Sequence, residues 1–150
     1  MQYVSRATLR PMIQIRALAA GAAEILIHEQ IGEDWLGDGL TSKRLFRDLP
    51  ALGPVSQLNV KINSAGGAVS DGIAIYNALK SHPARVDVTV DGLAASIASI
   101  IAMAGDTIRM GEGSMMMIHD PWTIAMGDAD DLRKTASVLD LTAESMAAIY

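Results

Sequence analysis

The sequence contains no cysteine among its 150 residues, which excludes disulfide bonds and thiolate chemistry. Aromatic residues make up only 4% of the chain, with a single Phe, so no platform exists on which nucleic-acid bases could stack. The net charge of −5 and the lack of a basic stripe also argue against a nucleic-acid partner. These absences exclude thiol-dependent sites and argue against a nucleic-acid partner.

The histidines are few and widely spaced, at His28, His82 and His119. None has the spacing of a metal-ligand motif, so we expect no metal and no organic cofactor. The longest uncharged apolar run, Ala94–Ala104, is too short to cross a bilayer and favours a buried helix instead. The sequence therefore predicts neither a metal site nor a membrane contact.

The first 23 residues contain arginines but no acidic residue, a pattern that superficially resembles a transit peptide (Arg6, Arg10 and Arg16). Residues 12–17, however, alternate like a strand, and no continuous apolar core precedes a cleavage site. We therefore expect a cytoplasmic protein. Half of the residues are hydrophobic, and the length fits a single domain over residues 1–150.

The chain opens with a predicted hairpin, whose strands cover residues 12–17 and 24–31. Thr41 or Ser42 is placed to cap a short helix that runs to about Leu49. Alternating apolar residues then predict strands at 58–63 and 86–90, on either side of a helix from Val69 to about Leu79. This alternation indicates an α/β fold with parallel strands.

The second half continues with the apolar helix predicted at 94–104 and short strands at 107–110 and 115–118. From about Asp128 to Tyr150, apolar residues recur at steps of three and four. This spacing predicts one long amphipathic helix with acidic residues at its positive end (Asp128, Asp130 and Asp131).

Gly66 and Gly67 follow a predicted strand and precede a predicted helix. They form a tight turn, and they could also present bare backbone N–H groups to a ligand. The pair lacks the spacing of a dinucleotide site or a P-loop, so by itself it does not decide between the two interpretations.

Ser96 lies where a strand meets an apolar helix, flanked by small residues, as a nucleophile would. We expect the N–H of Ile97 to face the same space as the N–H of Gly67, and two such donors make an oxyanion hole. Ser99, one turn later, is interpreted as a packing residue. His119 emerges at the tip of another strand and is a candidate base for Ser96, whereas His28 and His82 are interpreted as structural.

Three ordered segments resemble the proteolytic subunit of the Clp protease family. They read INSAGG at 62–67, GLAAS at 92–96 and MIHDP at 117–121, where that family typically has INSPGG, G-x-AAS and MIHQP. On residues 91–96, 119–122 and 127–131, the sequence more closely resembles the phage and prophage branch of that family, the head maturation proteases. Ala65 stands where the family usually has proline, which affects turn rigidity more than chemistry.

The resemblance implies a crotonase-like α/β fold of repeated β-β-α units with a C-terminal handle helix. It implies Ser96 as nucleophile, His119 as general base, and the backbone N–H groups of Gly67 and Ile97 as the oxyanion hole. Family members assemble as rings, commonly seven-membered and stacked in pairs, around polypeptide substrates. In the phage branch, those substrates would be capsid or scaffold proteins. An ATP-driven unfoldase is typical of the cellular family, and nothing here decides whether this chain needs one.

One part of the family pattern has no counterpart in this sequence. The third catalytic residue is an aspartate about fifty residues beyond the histidine, and the chain ends at Tyr150. Asp120 should project away from His119, and the acids at 128–131 are explained by the start of a helix. We therefore expect the 150-residue chain to be a truncated piece that is nearly inactive.

Three alternatives stay open. A Ser–Lys peptidase resembling signal peptide peptidase would use Lys61 or Lys80 as base, although both are predicted on exposed faces. An acyl-CoA enzyme of crotonase type would hold a thioester enolate with the same paired N–H groups. A non-enzymatic fragment would only assemble and present surfaces.

Overall fold

The computed structural model describes residues 15–33 and 39–150, and the chain opens there with the predicted hairpin. Strand β1 (Ile15–Ala17) runs antiparallel to β2 (Ala22–Ile27), with a 3-10 turn between them. Residues 12–14 of the predicted first strand lie outside the described residues. The second strand ends at Ile27, earlier than predicted, because Ile31 forms isolated bridges with Leu40 and Gly67 instead.

Four further strands extend this sheet in parallel, as the strand–helix alternation predicted. They are β3 (Gln57–Ser64), β4 (Arg85–Ala95), β5 (Thr107–Met110) and β6 (Met115–Met117). The order is β1-β2-β3-β4-β5, and β6 also pairs with β4. Helices α2 (Val69–Lys80) and α3 (Ile97–Ala102) connect the central strands. The α/β class is thereby confirmed.

Helix α1 (Ser42–Asp48) follows its predicted capping signal. The side chain of Thr41 accepts a hydrogen bond from the N–H of Arg44, which satisfies one of the free donors at the helix start. A 3-10 turn over Leu49–Leu52 ends the segment at Gly53, whose φ is 67°. The end predicted near Leu49 is therefore close to the observed one.

Strand β4 pairs along one edge with two successive strands. Its residues 87–90 pair with β5, and its residues 93–95 pair with β6. The register with β3 shifts between Ile62 and Ser64, where Asn63 Oδ1 accepts a hydrogen bond from the N–H of Leu93. A Cβ on Gly92 would lie 2.8 Å from that oxygen, so a larger residue there would have to displace the Asn63 side chain. Beyond this register shift, the end of β4 pairs with β6.

The apolar helix predicted at 94–104 is shorter than expected, and this prediction was wrong at its start. Ala94 and Ala95 belong to β4, and α3 begins at Ile97. The cause is the backbone of Ser96, whose φ of 54° and ψ of −130° cannot be helical. Small apolar residues suit a buried strand as well as a buried helix, so periodicity could not locate this junction.

The core lies between one face of the sheet and helices α2 and α3. Alternate residues of β3 and β4 face it, and every residue of α3 is buried. Gly72 of α2 permits the closest approach, because a Cβ there would lie 2.1 Å from Ile97 Cγ1. The opposite face of the sheet is polar and includes Glu24, which bonds Arg16 and Lys61.

Helix α4 (Ala129–Ala147) confirms the predicted C-terminal helix. The carboxylate of Asp128 caps it by accepting from the N–H groups of Asp130 and Asp131. Within α4 only Met146 is fully buried, so most of the helix surface is open. In the part of the chain that the structure describes, no helix is long and apolar enough to span a membrane.

Candidate functional site

Ser96 occupies the turn between β4 and α3, and its backbone conformation is unusual. Among the described residues, only Ser96 and Ala20 combine a positive φ with a side chain. Such a conformation costs on the order of 1–3 kcal/mol and persists only where the surroundings hold it. Here the N–H of Ser96 donates to the carbonyl of Met117 at 2.8 Å, which ties the turn to the end of β6.

His119 lies two residues beyond β6, the strand that pairs with the end of β4. Its Nε2 is 2.8 Å from Ser96 Oγ, within hydrogen-bond distance. The two residues come together because the tips of β4 and β6 are neighbours in the sheet. The structure therefore brings these two predicted site residues into contact.

The glycine turn packs directly against Ser96. A Cβ on Gly66 (φ 96°) would lie 2.7 Å from the Cβ of Ser96, and one on Gly67 (φ 145°) would lie 2.0 Å from the carbonyl oxygen of Ile31. Both positions therefore require glycine. Ser64, which the sequence did not single out, holds the turn: its Oγ accepts from the N–H of Gly66 and donates to the carbonyl of Glu29.

Two backbone N–H groups near Ser96 have no hydrogen-bond partner among the described residues. The N–H of Gly67 makes no hydrogen bond to any described residue, since the bridge to Ile31 uses its two neighbours. Ile97 is the first residue of α3, and an N–H at that position has no partner inside the helix. The N atom of Ile97 would lie 3.3 Å from a Cβ on Gly66, so the two loops adjoin.

Gly67, Ser96 and His119 border a cavity of about 630 Å³ that is open to solvent. It is lined by residues from the glycine turn, the nucleophile turn and the segment after β6 (Gln30, Ala65, Gly66, Gly67, Val69, Ser96, Met117, His119, Pro121 and Trp122). An apolar groove of about 650 Å³ shares Val69, Pro121 and Trp122 with this cavity and continues along α4. Gln30 was missed because its side chain belongs to no motif.

The other histidines and the two candidate lysines lie elsewhere. His28 contacts Asp91 at 3.3 Å, and His82 Nδ1 accepts from the N–H of Ala84. Burial lowers the pKa of His82 below its ordinary value, since it disfavours the charged ring. Lys61 pairs with Glu24 on the polar sheet face, and neither it nor Lys80 lines the cavity.

The acidic residues near the site do not contact His119. Asp128 caps α4, and no carboxylate within residues 15–33 and 39–150 hydrogen-bonds the His119 ring. Over the same residues, no group of three or more His, Asp and Glu side chains could hold a metal ion. The histidine therefore has Ser96 as its hydrogen-bond partner among the described residues.

Ser99 does more than pack, and this role was not predicted. Its Oγ donates to the carbonyl of Ser96 at 2.5 Å and also lies 2.5 Å from the hydroxyl of Tyr150, beyond the end of α4. Nothing in the sequence signals this contact, because 51 residues separate the two side chains.

Comparison with known proteins gives consistent matches. The family model described as Clp protease matches residues 12–150. The ATP-dependent Clp protease proteolytic subunit of Bacteroides fragilis is 32% identical over 106 residues, covering 69% of this chain and 50% of that protein. The protein of the same name from Ligilactobacillus salivarius is 32% identical over 114 residues, covering 75% of this chain and 56% of that protein. The chain thus spans about half the length of these curated relatives.

Proposed function

The chain belongs to the Clp protease family, and from that premise we propose that it contributes the nucleophile and base of a serine endopeptidase. The observation that carries the proposal is the 2.8 Å contact between Ser96 Oγ and His119 Nε2 at the edge of an open cavity. The fold supports it as well, because a sheet with a C-terminal helix fits that family.

In the proposed mechanism, His119 Nε2 accepts the proton of Ser96 Oγ while Oγ attacks the carbonyl carbon of a peptide bond. The ring must then carry its other proton on Nδ1. The negative charge that develops on the carbonyl oxygen is stabilised by the N–H groups of Gly67 and Ile97. Protonated His119 next donates its proton to the amine that leaves, which gives an acyl-enzyme on Ser96. Water, deprotonated by His119, hydrolyses that ester.

We propose that the 150-residue chain alone turns over slowly. No described carboxylate accepts a hydrogen bond from the His119 ring, so nothing there selects the tautomer that leaves Nε2 free. Loss of such an orienting acid lowers turnover about ten-thousandfold in a serine protease. An acyl-enzyme can still form, because attack requires only the nucleophile, the base and the oxyanion donors.

The proposed assembly is a homo-oligomeric ring. Its support is the apolar surface formed by Met115, Ile118, Trp122, Ile124 and Met126, all exposed in the single chain. Capsid or scaffold proteins are the substrates we propose, on the likeness of residues 91–96, 119–122 and 127–131 to the phage branch. The named relatives are ATP-dependent, so an unfoldase partner is proposed as the alternative route of substrate delivery.

A fluorophosphonate probe tests the proposed chemistry, because it labels an activated serine. We expect the wild-type chain to be labelled at Ser96 and Ser96→Ala to be unlabelled. His119→Ala should be labelled at least about 100-fold more slowly than the wild type. Ser137→Ala and His28→Ala are matched controls that should label normally, since neither residue lines the cavity. Labelling of the Ser96→Ala variant at an equal rate would refute the assignment.

The alternatives give different outcomes in the same experiment. Labelling that survives in His119→Ala but is lost in Lys61→Ala or Lys80→Ala would indicate a Ser–Lys peptidase. Absence of labelling together with tight binding of an acyl-CoA would indicate crotonase-type chemistry.

Sedimentation tests the assembly. Ile124→Asp should shift a ring toward monomer, whereas Phe46→Asp, an exposed change on α1, should leave the mass unchanged. A wild-type chain that sediments as a monomer at all concentrations would rule the ring out.

A further inference from the structure

A chain of hydroxyl groups leads from Tyr150 to the backbone of Ser96. Tyr150 OH lies 2.5 Å from Ser99 Oγ, and Ser99 Oγ lies 2.5 Å from the carbonyl oxygen of Ser96. That carbonyl also accepts from the N–H of Ser99 at 2.9 Å. Three elements are joined in this way: α3, the nucleophile turn and the segment after α4.

The direction of the proton donation follows from the inventory of hydrogens. A serine hydroxyl has one proton, and the Ser96 carbonyl can only accept. Ser99 therefore donates to Ser96, and Tyr150 must donate to Ser99. Hydrogen bonds arranged head to tail polarise one another, so the proton of Tyr150 strengthens the bond that Ser99 makes.

This arrangement differs from the other hydroxyl contacts in the helices. Thr135, Ser137, Thr142 and Ser145 of α4 each donate to a carbonyl four residues earlier, and all four contacts are exposed. Such bonds are common for serine and threonine in helices. Ser99 is 0% exposed, and its partner is a side chain from outside α3. The bond to the Ser96 carbonyl already satisfies the one donor of Ser99, so the second partner, Tyr150, is not needed for that purpose.

The carbonyl of Ser96 and the N–H of Ile97 belong to one planar peptide unit, in which they point in opposite directions. Fixing the direction of the carbonyl therefore fixes the direction of the N–H. We propose that Ser99 and Tyr150 are positioning residues that aim and polarise the Ile97 N–H as an oxyanion donor. The inference rests on the proposed function, because it presupposes that Ser96 is the nucleophile.

The strained backbone of Ser96 explains why the peptide that follows it needs the support of Ser99 and Tyr150. The peptide that follows Ser96 carries the N–H of Ile97, the first residue of α3, and this N–H has no acceptor within the helix. Two donors on the Ser96 carbonyl hold the peptide plane against rotation about ψ. A change of ψ at Ser96 would redirect the Ile97 N–H without moving Ser96 Oγ.

Saturation kinetics of fluorophosphonate labelling test the proposal, because they separate binding of the probe from the chemical step. Removal of an oxyanion donor costs about 10²–10³ in rate, so weakening one should cost less. We expect the maximal labelling rate to fall about tenfold in Ser99→Ala and about threefold in Tyr150→Phe, with half-saturation unchanged. The double variant should be no slower than Ser99→Ala, since both changes break one chain.

Matched controls remove a hydroxyl group that lies outside the Tyr150–Ser99–Ser96 series of hydrogen bonds. Tyr76→Phe and Ser137→Ala should label at the wild-type rate with wild-type half-saturation. A purely structural role for Ser99 and Tyr150 would lower Tm or raise half-saturation and leave the maximal rate unchanged, which would overturn the inference. So would wild-type rates in both variants. If the wild-type chain itself is not labelled, the proposed function fails, and the inference fails with it.

Discussion

Helix α3 and the segment from Met115 to Met126 are both rich in apolar residues, but their environments are opposite. Every residue of α3 is buried, whereas Trp122, Ile124 and Met126 are 72%, 86% and 95% exposed. Helix α3 contacts both the sheet and α2, whereas most of the segment follows β6 outside any helix or strand. The hydrophobicity of a segment thus does not show whether the segment is buried in the core of its own chain or left exposed in the single chain.

The comparison matters for the site because each region supplies one half of it. Ser96 begins the packed region, and His119 belongs to the open one. The nucleophile turn is held by the core, whereas the base depends on a segment whose apolar neighbours face solvent in the single chain. We therefore expect changes in the first region to affect folding and changes in the second to affect assembly.

The largest expected difference comes from the same substitution made in both regions. Ile100→Ala should lower the free energy of unfolding by about 2–5 kcal/mol, because it leaves a cavity in the core. Ile124→Ala should change it by less than about 0.5 kcal/mol, because that side chain is already solvated. Urea unfolding at low protein concentration measures the free energy of unfolding of both variants, and equal losses would contradict the difference between the two regions.

Gly72→Ala should give the next largest effect and tests the packing of α2 on α3. Helix propensity alone predicts a gain of about 1 kcal/mol. The added Cβ would instead lie 2.1 Å from Ile97 Cγ1, and overpacking of this kind costs about 1–3 kcal/mol. Asn77→Ala, exposed on the same helix, is the control that should be stabilising. Stabilisation by Gly72→Ala in urea unfolding would contradict the close approach.

A smaller effect is expected at the start of α4, on the open side of the molecule. Asp128→Ala removes the carboxylate that accepts from two N–H groups and should cost about 1 kcal/mol. Amide hydrogen exchange should accelerate in the first turn of α4 and not in α3. Asp140→Ala, exposed in the middle of α4, is the control. Unchanged exchange at Asp130 and Asp131 would count against the cap.

The smallest effect concerns pH. Burial lowers the pKa of His82 in the folded chain, so the unfolded chain takes up a proton first as the pH falls through about 6.5. The contribution of His82 to stability is therefore complete above that pH and declines below it. Urea unfolding between pH 8 and pH 5.5 should show a steeper loss for the wild type than for His82→Gln. Equal slopes would argue against the lowered pKa.

Much of this fold follows from local patterns that carry a physical cause. Alternation located β3 and the middle of β4, and the capping residues Thr41 and Asp128 lie where the sequence placed the helix starts. The start of α3 was predicted three residues too early, at Ala94 instead of Ile97, because Ala94 and Ala95 suit either a strand or a helix. Their assignment depends on pairing with β6, a contact that no local pattern encodes.

The site could be predicted only as far as its motifs reach. Ser96, His119 and the glycine turn are each marked by position at the end of a strand, and the structure brings them together. The supports of that site carry no such signal: Ser64 bonds a carbonyl 35 residues away, and Tyr150 bonds Ser99 across 51 residues. Long-range hydrogen bonds of this kind become visible only in three dimensions.

The pairing of Ala95 with Met117 has a consequence for misfolding. Side chains on a strand alternate between its two faces, so a slip of β6 by a single residue would reverse the faces of its three methionines and displace His119, two residues further on, from Ser96. Such a molecule would keep nearly all of its buried surface and still lack a working pair. The register of β6 on β4 thus decides whether the Ser96–His119 pair forms. A preparation with mixed registers would be fully folded, yet a fraction of its molecules would be inactive.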